Sequence, residues 1–278
     1  MPFVSGFQSV TISVSNIDRS LAFYRDLLGF KVLDQSTRED GVIVHSLDIG
    51  NQKTLQLLSF SKSAKPSPWL PNDFQTGLRH AGFKVNDVDG TTARLKQAGV
   101  EFTLDPLDAT GEVRIAFFKD PDGTLLEVVQ KELQYHVEGP AMGELPPLTP
   151  AGDALIFDHV AITVSDLDKA LTFYTARLGF PMIGQLLFKD ERGFTITYLK
   201  AGTSVLELFS FSKPTQSNPW VPDPTVLGFK YISFSTENLD RQVANLKAAD
   251  IRVLHEGQRG KSTLIEGPDG VGLEFMRY

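Results

Sequence analysis

Cysteine is absent from the 278 residues. That excludes disulfides, thiolate nucleophiles and sulfur-ligated metal, and it leaves His, Asp and Glu as the side chains for any metal chemistry. A basic excess is absent too. Lys and Arg number 27 against 34 Asp and Glu, for a net charge of −7, so tracking along a phosphate backbone fits poorly and nucleic acid is not expected as a partner. No apolar stretch approaches the roughly 18 residues of a membrane span. The opening MPFVSGFQSV has no basic segment leading into an apolar one, so no membrane partner is expected and a cytoplasmic location follows by default. What is present is an ordinary globular mixture, 41% hydrophobic and 22% charged. The length suits two domains of roughly 100 to 200 residues each.

The chain repeats itself. FQSVTISVS at 7–15 returns as FDHVAITVS at 157–165, and LAFYRDLLGF at 21–30 returns as LTFYTARLGF at 171–180. LQLLSFSK at 55–62 matches LELFSFSK at 206–213, the Pro-Trp-Leu-Pro around Trp69 matches the Pro-Trp-Val-Pro around Trp220, and the PDG turn with its following Glu127 matches the one preceding Glu274. Residues 136–152 between the copies are rich in Pro and Gly with little apolar periodicity and read as an extended linker. The expected domains are therefore 1–135 and 153–278.

Each copy carries the same pattern twice. In the first strand, Val10, Ile12 and Val14 alternate with Ser9, Thr11 and Ser13, and Val160, Ile162 and Val164 with His159, Ala161 and Thr163, so one face packs and the other lines something polar. Ser15-Asn-Ile-Asp18 and Ser165-Asp-Leu-Asp168 resemble capping boxes that start a helix, with Gly29 and Gly179 as its stops. Three strand-like runs follow, and a second round begins at 80–85 and 231–235 with helices expected over 88–98 and 239–249. The expectation is an α+β fold with four strand-helix-strand-strand-strand units.

These residues resemble the vicinal oxygen chelate superfamily, which includes glyoxalase I, extradiol dioxygenases and bleomycin-resistance proteins. The resemblance rests on the paired starts SVTISVSNIDRSLAFYRDLLGF and HVAITVSDLDKALTFYTARLGF, on GLRHAGF at 77–83, and on IAFFKDPDG at 115–123 with Glu127 after it. It implies two tandem domains, each a pair of βαβββ units forming cupped mixed sheets. It also implies metal ligands on the first and fourth strands of each unit. Mapped by motif, those positions are Ser9, Gln56, His80 and Glu127 in the first copy, and His159, Glu207, Tyr231 and Glu274 in the second. Neither copy has a full set. If the first half of one copy pairs with the second half of the other, as in swapped glyoxalase-type members, His80, Glu127, His159 and Glu207 assemble as one centre. Ser9, Gln56, Tyr231 and Glu274 then form a lapsed second site, in which Glu274 needs a hydrogen bond, with Tyr231 the expected donor.

Two imidazoles and two carboxylates suit one divalent ion such as Zn, Ni, Fe, Mn or Co. The resemblance then implies a lyase or isomerase acting on a small substrate that chelates through vicinal oxygens, by way of a metal-stabilised enediolate. Glu127, or else Glu207, would be the base. Phe60, Phe117 and Phe211, with Trp69 and Trp220 in Pro- and Ser-rich loops, are candidate pocket walls, while His45, His136 and His255 match no motif position. Glyoxalase I holds the glutathione carboxylates partly with an arginine four residues after its first-strand ligand and an asparagine four after its fourth-strand ligand. Here those positions are Thr163 and Phe211, so the usual glutathione hemithioacetal is not the expected substrate. Extradiol-type Fe(II) dioxygenase chemistry is the alternative, although the family's second histidine is Tyr231 and its tyrosine Leu264. A third reading is a non-catalytic binder of small molecules. The patterns do not distinguish a monomer from a homodimer.

Overall fold

The computed structural model describes residues 4–257 and 261–277. The first unit runs β1 (Val4–Ser13), α1 (Ile17–Leu21), β2 (Lys31–Thr37), β3 (Ile43–Asp48) and β4 (Thr54–Ser59), and the second β5 (Gly77–Lys84), α2 (Val88–Gln97), β6 (Phe102–Ala109), β7 (Val113–Lys119) and β8 (Leu125–Gln130). After the short β9 (Val137–Glu138), the third unit comprises β10 (Ile156–Thr163), α3 (Leu167–Leu171), β11 (Met182–Leu187), β12 (Phe194–Ala201) and β13 (Ser204–Phe211). The fourth comprises β14 (Gly228–Thr236), α4 (Leu239–Ala248), β15 (Val253–Glu256), β16 (Ser262–Glu266) and β17 (Gly272–Arg277). The fold is α+β, as the patterning implies, and α2 and α4 each stop one residue short of the expected end.

Strand pairing crosses the copies. One sheet has the order β15-β16-β17-β14-β1-β4-β3-β2 and the other β6-β7-β8-β5-β10-β13-β12-β11-β9. Each sheet thus joins the first unit of one copy to the second unit of the other through a central antiparallel pair, β1 with β14 or β10 with β5. Behind the sheets the apolar stripe of each first strand enters a shared core, where the rings of Phe7 and Phe157 stack 4.7 Å apart. The segment between the copies is laid along an edge: β9 pairs with β11, and Asn86 donates to the carbonyls of Pro150 and Gly152.

The helix starts differ by one residue from the expected caps. Asn16 and Asp166 are the N-caps, accepting from the backbone N–H groups of Arg19 and Lys169. Ser15 instead donates to Asp122, and the Ser165 N–H to Asp269. The two PDG turns therefore tie each copy's second half to its own first helix, while the sheets bind it to the other copy. Past α1 the chain widens into a π-helical turn over Ala22–Leu27, and past α3 over Thr172–Arg177. Gly29 and Gly179 stop these turns with φ of +83° and +82°, a backbone region favouring glycine.

One core charge is poorly satisfied. Lys230 on β14 is 2% exposed, and its Nζ lies 3.5 Å from the carbonyls of Val221 and Asp223. Burial pushes this ammonium down to about 8, whereas an unfolded lysine holds its proton to about 10.4. The unfolded state binds more protons between those values, so this group adds stability as pH rises from about 8 toward 10. Lys230→Met is expected to stabilise the protein at pH 7 by about 1–3 kcal/mol and to flatten the alkaline rise, as read from urea unfolding at pH 7 and 9.5. A less stable variant at pH 7 would show that the ammonium is well solvated by its carbonyls.

Candidate metal centre

Four adjacent strands, β8, β5, β10 and β13, each lend one side chain to the concave face of the second sheet. Register does the work. His159 lies opposite Gly82, and Ala161 opposite His80, while Glu207 is level with Ala161 and Glu127 with Gly82. All four side chains are buried. Glu127 Oε2 stands 3.0 Å from His80 Nε2 and 2.9 Å from His159 Nε2, and the two Nε2 atoms are 3.2 Å apart. Glu207 Oε2 is farther out, 3.9 Å from His80 Nε2 and 3.6 Å from His159 Nε2.

Space for this arrangement comes from Gly82. A Cβ there would lie 2.1–2.6 Å from atoms of the His159 ring, closer than any non-bonded contact allows. On its far side the His159 ring faces Asp158, with Nδ1 3.0 Å from the carboxylate. A proton on Nδ1 held by that carboxylate leaves the Nε2 lone pair for the centre of the cup. His80 Nδ1 is buried without a partner, and its ring meets Phe117 edge-on at 5.0 Å.

The electrostatics of the four side chains are strongly divided. Burial lowers His80 to about 4. His159 is raised despite burial, by the charge of Glu207 and its bonds to Asp158 and Glu127. Burial works against Glu127, yet its bonds to His159 and His80 hold it at about 2. Glu207 is pushed up to about 8, mainly by burial and then by the charges of Glu127 and Asp158, against the pull of His159. Two acceptor nitrogens and a carboxylate oxygen this close require protons or a cation between them. Bonds of about 2.0–2.1 Å to one ion place neighbouring donor atoms about 2.9–3.4 Å apart, which matches the spacings among His80, Glu127 and His159. Among the described residues these three form the group of donors that could hold a metal, all within 4.8 Å of one another.

The centre opens into a cavity of about 1570 Å³. Of the expected wall residues, Trp69, Phe117 and Phe211 line it. Phe60 does not: it packs on Val42, Val44 and Leu58 in the other sheet. Trp220 is also elsewhere, donating from Nε1 to the Lys230 carbonyl at 2.7 Å beside a cleft of about 30 Å³. Asp158 and Arg79 both line the large cavity although strand alternation points them away from it. Register shifts at 157–159 and at 161–162 opposite 78–80 bring them round, as β-bulges do.

The second cup has the same register with different contents. Thr11 lies opposite Tyr231 and level with Gln56, and Ser233 is level with Glu274. Thr11 Oγ1 donates to Gln56 Oε1 at 3.1 Å, and Ser233 Oγ donates to Glu274 Oε2 at 2.8 Å. The expected Tyr231 bond to Glu274 is therefore replaced by one from Ser233, while Tyr231 bonds with Thr11. Ser9 Oγ is buried without a partner. Where the first cup has Ala161 and Gly82, the second has the hydroxyls of Thr11 and Ser233, which bond to Gln56 and Glu274.

A cupped sheet gathering imidazoles and carboxylates from two tandem copies defines a class, and sequence comparison agrees. The model of the Glyoxalase/Bleomycin resistance protein/Dioxygenase superfamily matches residues 6–128 and 156–275, and the chain belongs to that superfamily. A lactoylglutathione lyase of Arabidopsis thaliana is 27% identical over 283 residues, covering 98% of this chain and 87% of that protein. A catechol-2,3-dioxygenase of Bacillus subtilis is 26% identical across 69% of each chain. Glyoxalase I from Zea mays shares the fold, with a TM-score of 0.71 at 19% identity over 98% of this chain and 92% of that one. Among the described residues no helix is long and apolar enough to cross a membrane.

Proposed function

We propose that the chain is a metal-dependent lyase or isomerase for a small substrate with vicinal oxygens, with His80, Glu127, His159 and Glu207 as ligands of one divalent ion. The observation that carries this reading is the convergence of two imidazoles and two carboxylates, one pair from each copy, at the floor of a cavity. A bound divalent ion would supply Lewis acidity toward a carbonyl and its neighbouring oxygen. The protein's part is to bind, orient and move a proton. Glu207 suits the base better than Glu127: it stands 3.6 and 3.9 Å from the two Nε2 atoms where Glu127 stands 2.9 and 3.0 Å, so its carboxylate is the freer of the two to reach a substrate C–H.

Glutathione adducts fit poorly. The Thr163 hydroxyl donates to the Asp73 carbonyl at 3.3 Å, and the Phe211 ring packs on Phe74 at 4.8 Å. Residues 73 and 74 thus occupy the space of the two clamp positions. Extradiol-type Fe(II) dioxygenase chemistry is the second reading, favoured by the two-histidine, one-carboxylate grouping of His80, His159 and Glu127.

Deuterium exchange next to the carbonyl of hydroxyketones and ketoaldehyde–thiol adducts, followed by NMR with Zn²⁺, Ni²⁺, Co²⁺, Mn²⁺ or Fe²⁺ supplied, tests the assignment. Exchange is expected only with an ion. Glu207→Gln is expected to slow it by roughly 10²- to 10⁴-fold while a stoichiometric ion is kept. Oxygen uptake with catechols and Fe²⁺ would favour the dioxygenase, and small-molecule binding indifferent to every ion would leave a non-catalytic binder.

A further inference from the structure

We infer that Arg79 anchors a carboxylate of the substrate, so that the preferred substrate joins vicinal oxygens to a carboxylate on an apolar body. This rests on the metal-centre reading of the same cup. Arg79 directly precedes His80, and in a regular strand consecutive side chains leave opposite faces. Here His80 pairs with Ala161 and Leu78 with Ile162, which leaves Arg79 without a strand partner at a bulge. Its side chain therefore enters the cavity on the same side as His80, where it is 15% exposed.

The guanidinium is held but not used up. It lies 5.1 Å above the Phe209 ring, pairs with Asp73 through Nη2, and keeps a buried Nε without a partner. The other guanidinium on this wall, Arg192, spends Nε and Nη2 on Asp190 and Nη1 on Asp73. Arg79 is thus the less committed of the two, with one of its five N–H donors bonded against three in Arg192. Asp73 belongs to the loop that fills the two clamp positions, so its carboxylate already demonstrates what Arg79 accepts.

Comparison with the other copy separates this from a merely structural arginine. The equivalent of Arg79 is Lys230, at a matching bulge. Lys230 is buried and turns its ammonium to backbone carbonyls beside the small cleft, next to the cup whose ligand positions carry no histidine. The cation faces open space only where the candidate metal centre stands. Phe117, Phe194, Phe209 and Phe211 share the cavity lining with it, alongside the charged Asp73, Asp158 and Arg192. A planar fork on an aromatic face suits a carboxylate, and the aromatic wall suits the body that carries it.

Two chelating probes differing only in charge provide the test: benzohydroxamate and 4-carboxybenzohydroxamate, titrated calorimetrically into the Zn²⁺-supplied protein. The carboxylated probe is expected to bind at least about tenfold tighter, with the preference lost in Arg79→Gln. Asp73→Asn frees the guanidinium and is expected to keep or increase the preference, which gives a second arm should Arg79→Gln fold poorly. Equal affinities in the parent, an unchanged preference in Arg79→Gln, or a reduced one in Asp73→Asn would reduce Arg79 to a strut for its loop and leave the metal centre standing. Binding of neither probe would remove the metal centre, and the anchor with it.

Discussion

His80→Ala and His159→Ala are each expected to abolish binding of the same single divalent ion, lowering affinity by at least about 100-fold. The magnitude follows from a weaker perturbation: removing a residue that only orients a ligand already costs 10- to 100-fold. The identity of the ion follows from topology. His80 sits on β5 and His159 on β10, strands from different copies joined as neighbours in one sheet, with Nε2 atoms 3.2 Å apart. One ion can therefore touch both. Within a copy, the donors on this sheet are one imidazole and one carboxylate, His80 with Glu127 or His159 with Glu207, too few to close a site. Metal content by mass spectrometry, with calorimetric stoichiometry, should fall from one ion per chain to none in either variant. The thermal stabilisation by added ion should vanish in parallel. If the two substitutions removed two different ions, the crossed centre would be wrong.

Gly82→Ala should be nearly as damaging, although it alters no ligand. The added Cβ would lie 2.1–2.6 Å from the His159 ring, and that ring is already held from behind by Asp158 at 3.0 Å. Either the imidazole leaves the cup or the β5 and β10 backbones part. Both routes lower ion affinity about as far as His159→Ala does, and overpacking adds a stability loss of about 1–3 kcal/mol. Gly82 is not among the positive-φ residues, so the cost comes from sterics with the imidazole. It follows that Gly82→Ala should cost little stability once His159 is already Ala, a coupling that a double-mutant cycle in urea measures directly. Parent-like ion binding in Gly82→Ala would mean that the ring has another place to go. The other cup has Ser233 level with Glu274, as Gly82 is with Glu127, and there the small Ser9 replaces His159.

Much of the fold is legible in the residues because it depends on local pattern. Alternation of Val160, Ile162 and Val164 with His159 and Thr163 is enough to assign the strand and its two faces, and Gly29 and Gly179 end the first helix of each copy because the chain must adopt positive φ there. The ligand positions came through the resemblance, read onto aligned motifs. Nothing local decides which unit pairs with which, since β1 can find the second unit of either copy with the same apolar stripe. That choice is made by the long-range register of β10 on β5 and β1 on β14.

The misplaced residues share a cause. Phe60 and Trp220 have the parity or the loop expected of a wall, but they belong beside the cup whose ligand positions carry no histidine. Arg79 and Asp158 have the wrong parity and are in the cavity, because bulges add a residue where strict alternation has none. Glu274 takes its bond from Ser233 because level neighbours in a parallel pair meet more directly than the expected Tyr231.

By itself the sequence determines that this chain has no thiol for a metal and divides its imidazoles and carboxylates between two copies of one domain. Only the tertiary structure decides that the two halves meet in one cluster. Periodicity specifies what each strand turns inward, whereas pairing and bulges, which arise from contacts between segments far apart in the chain, specify what those side chains meet.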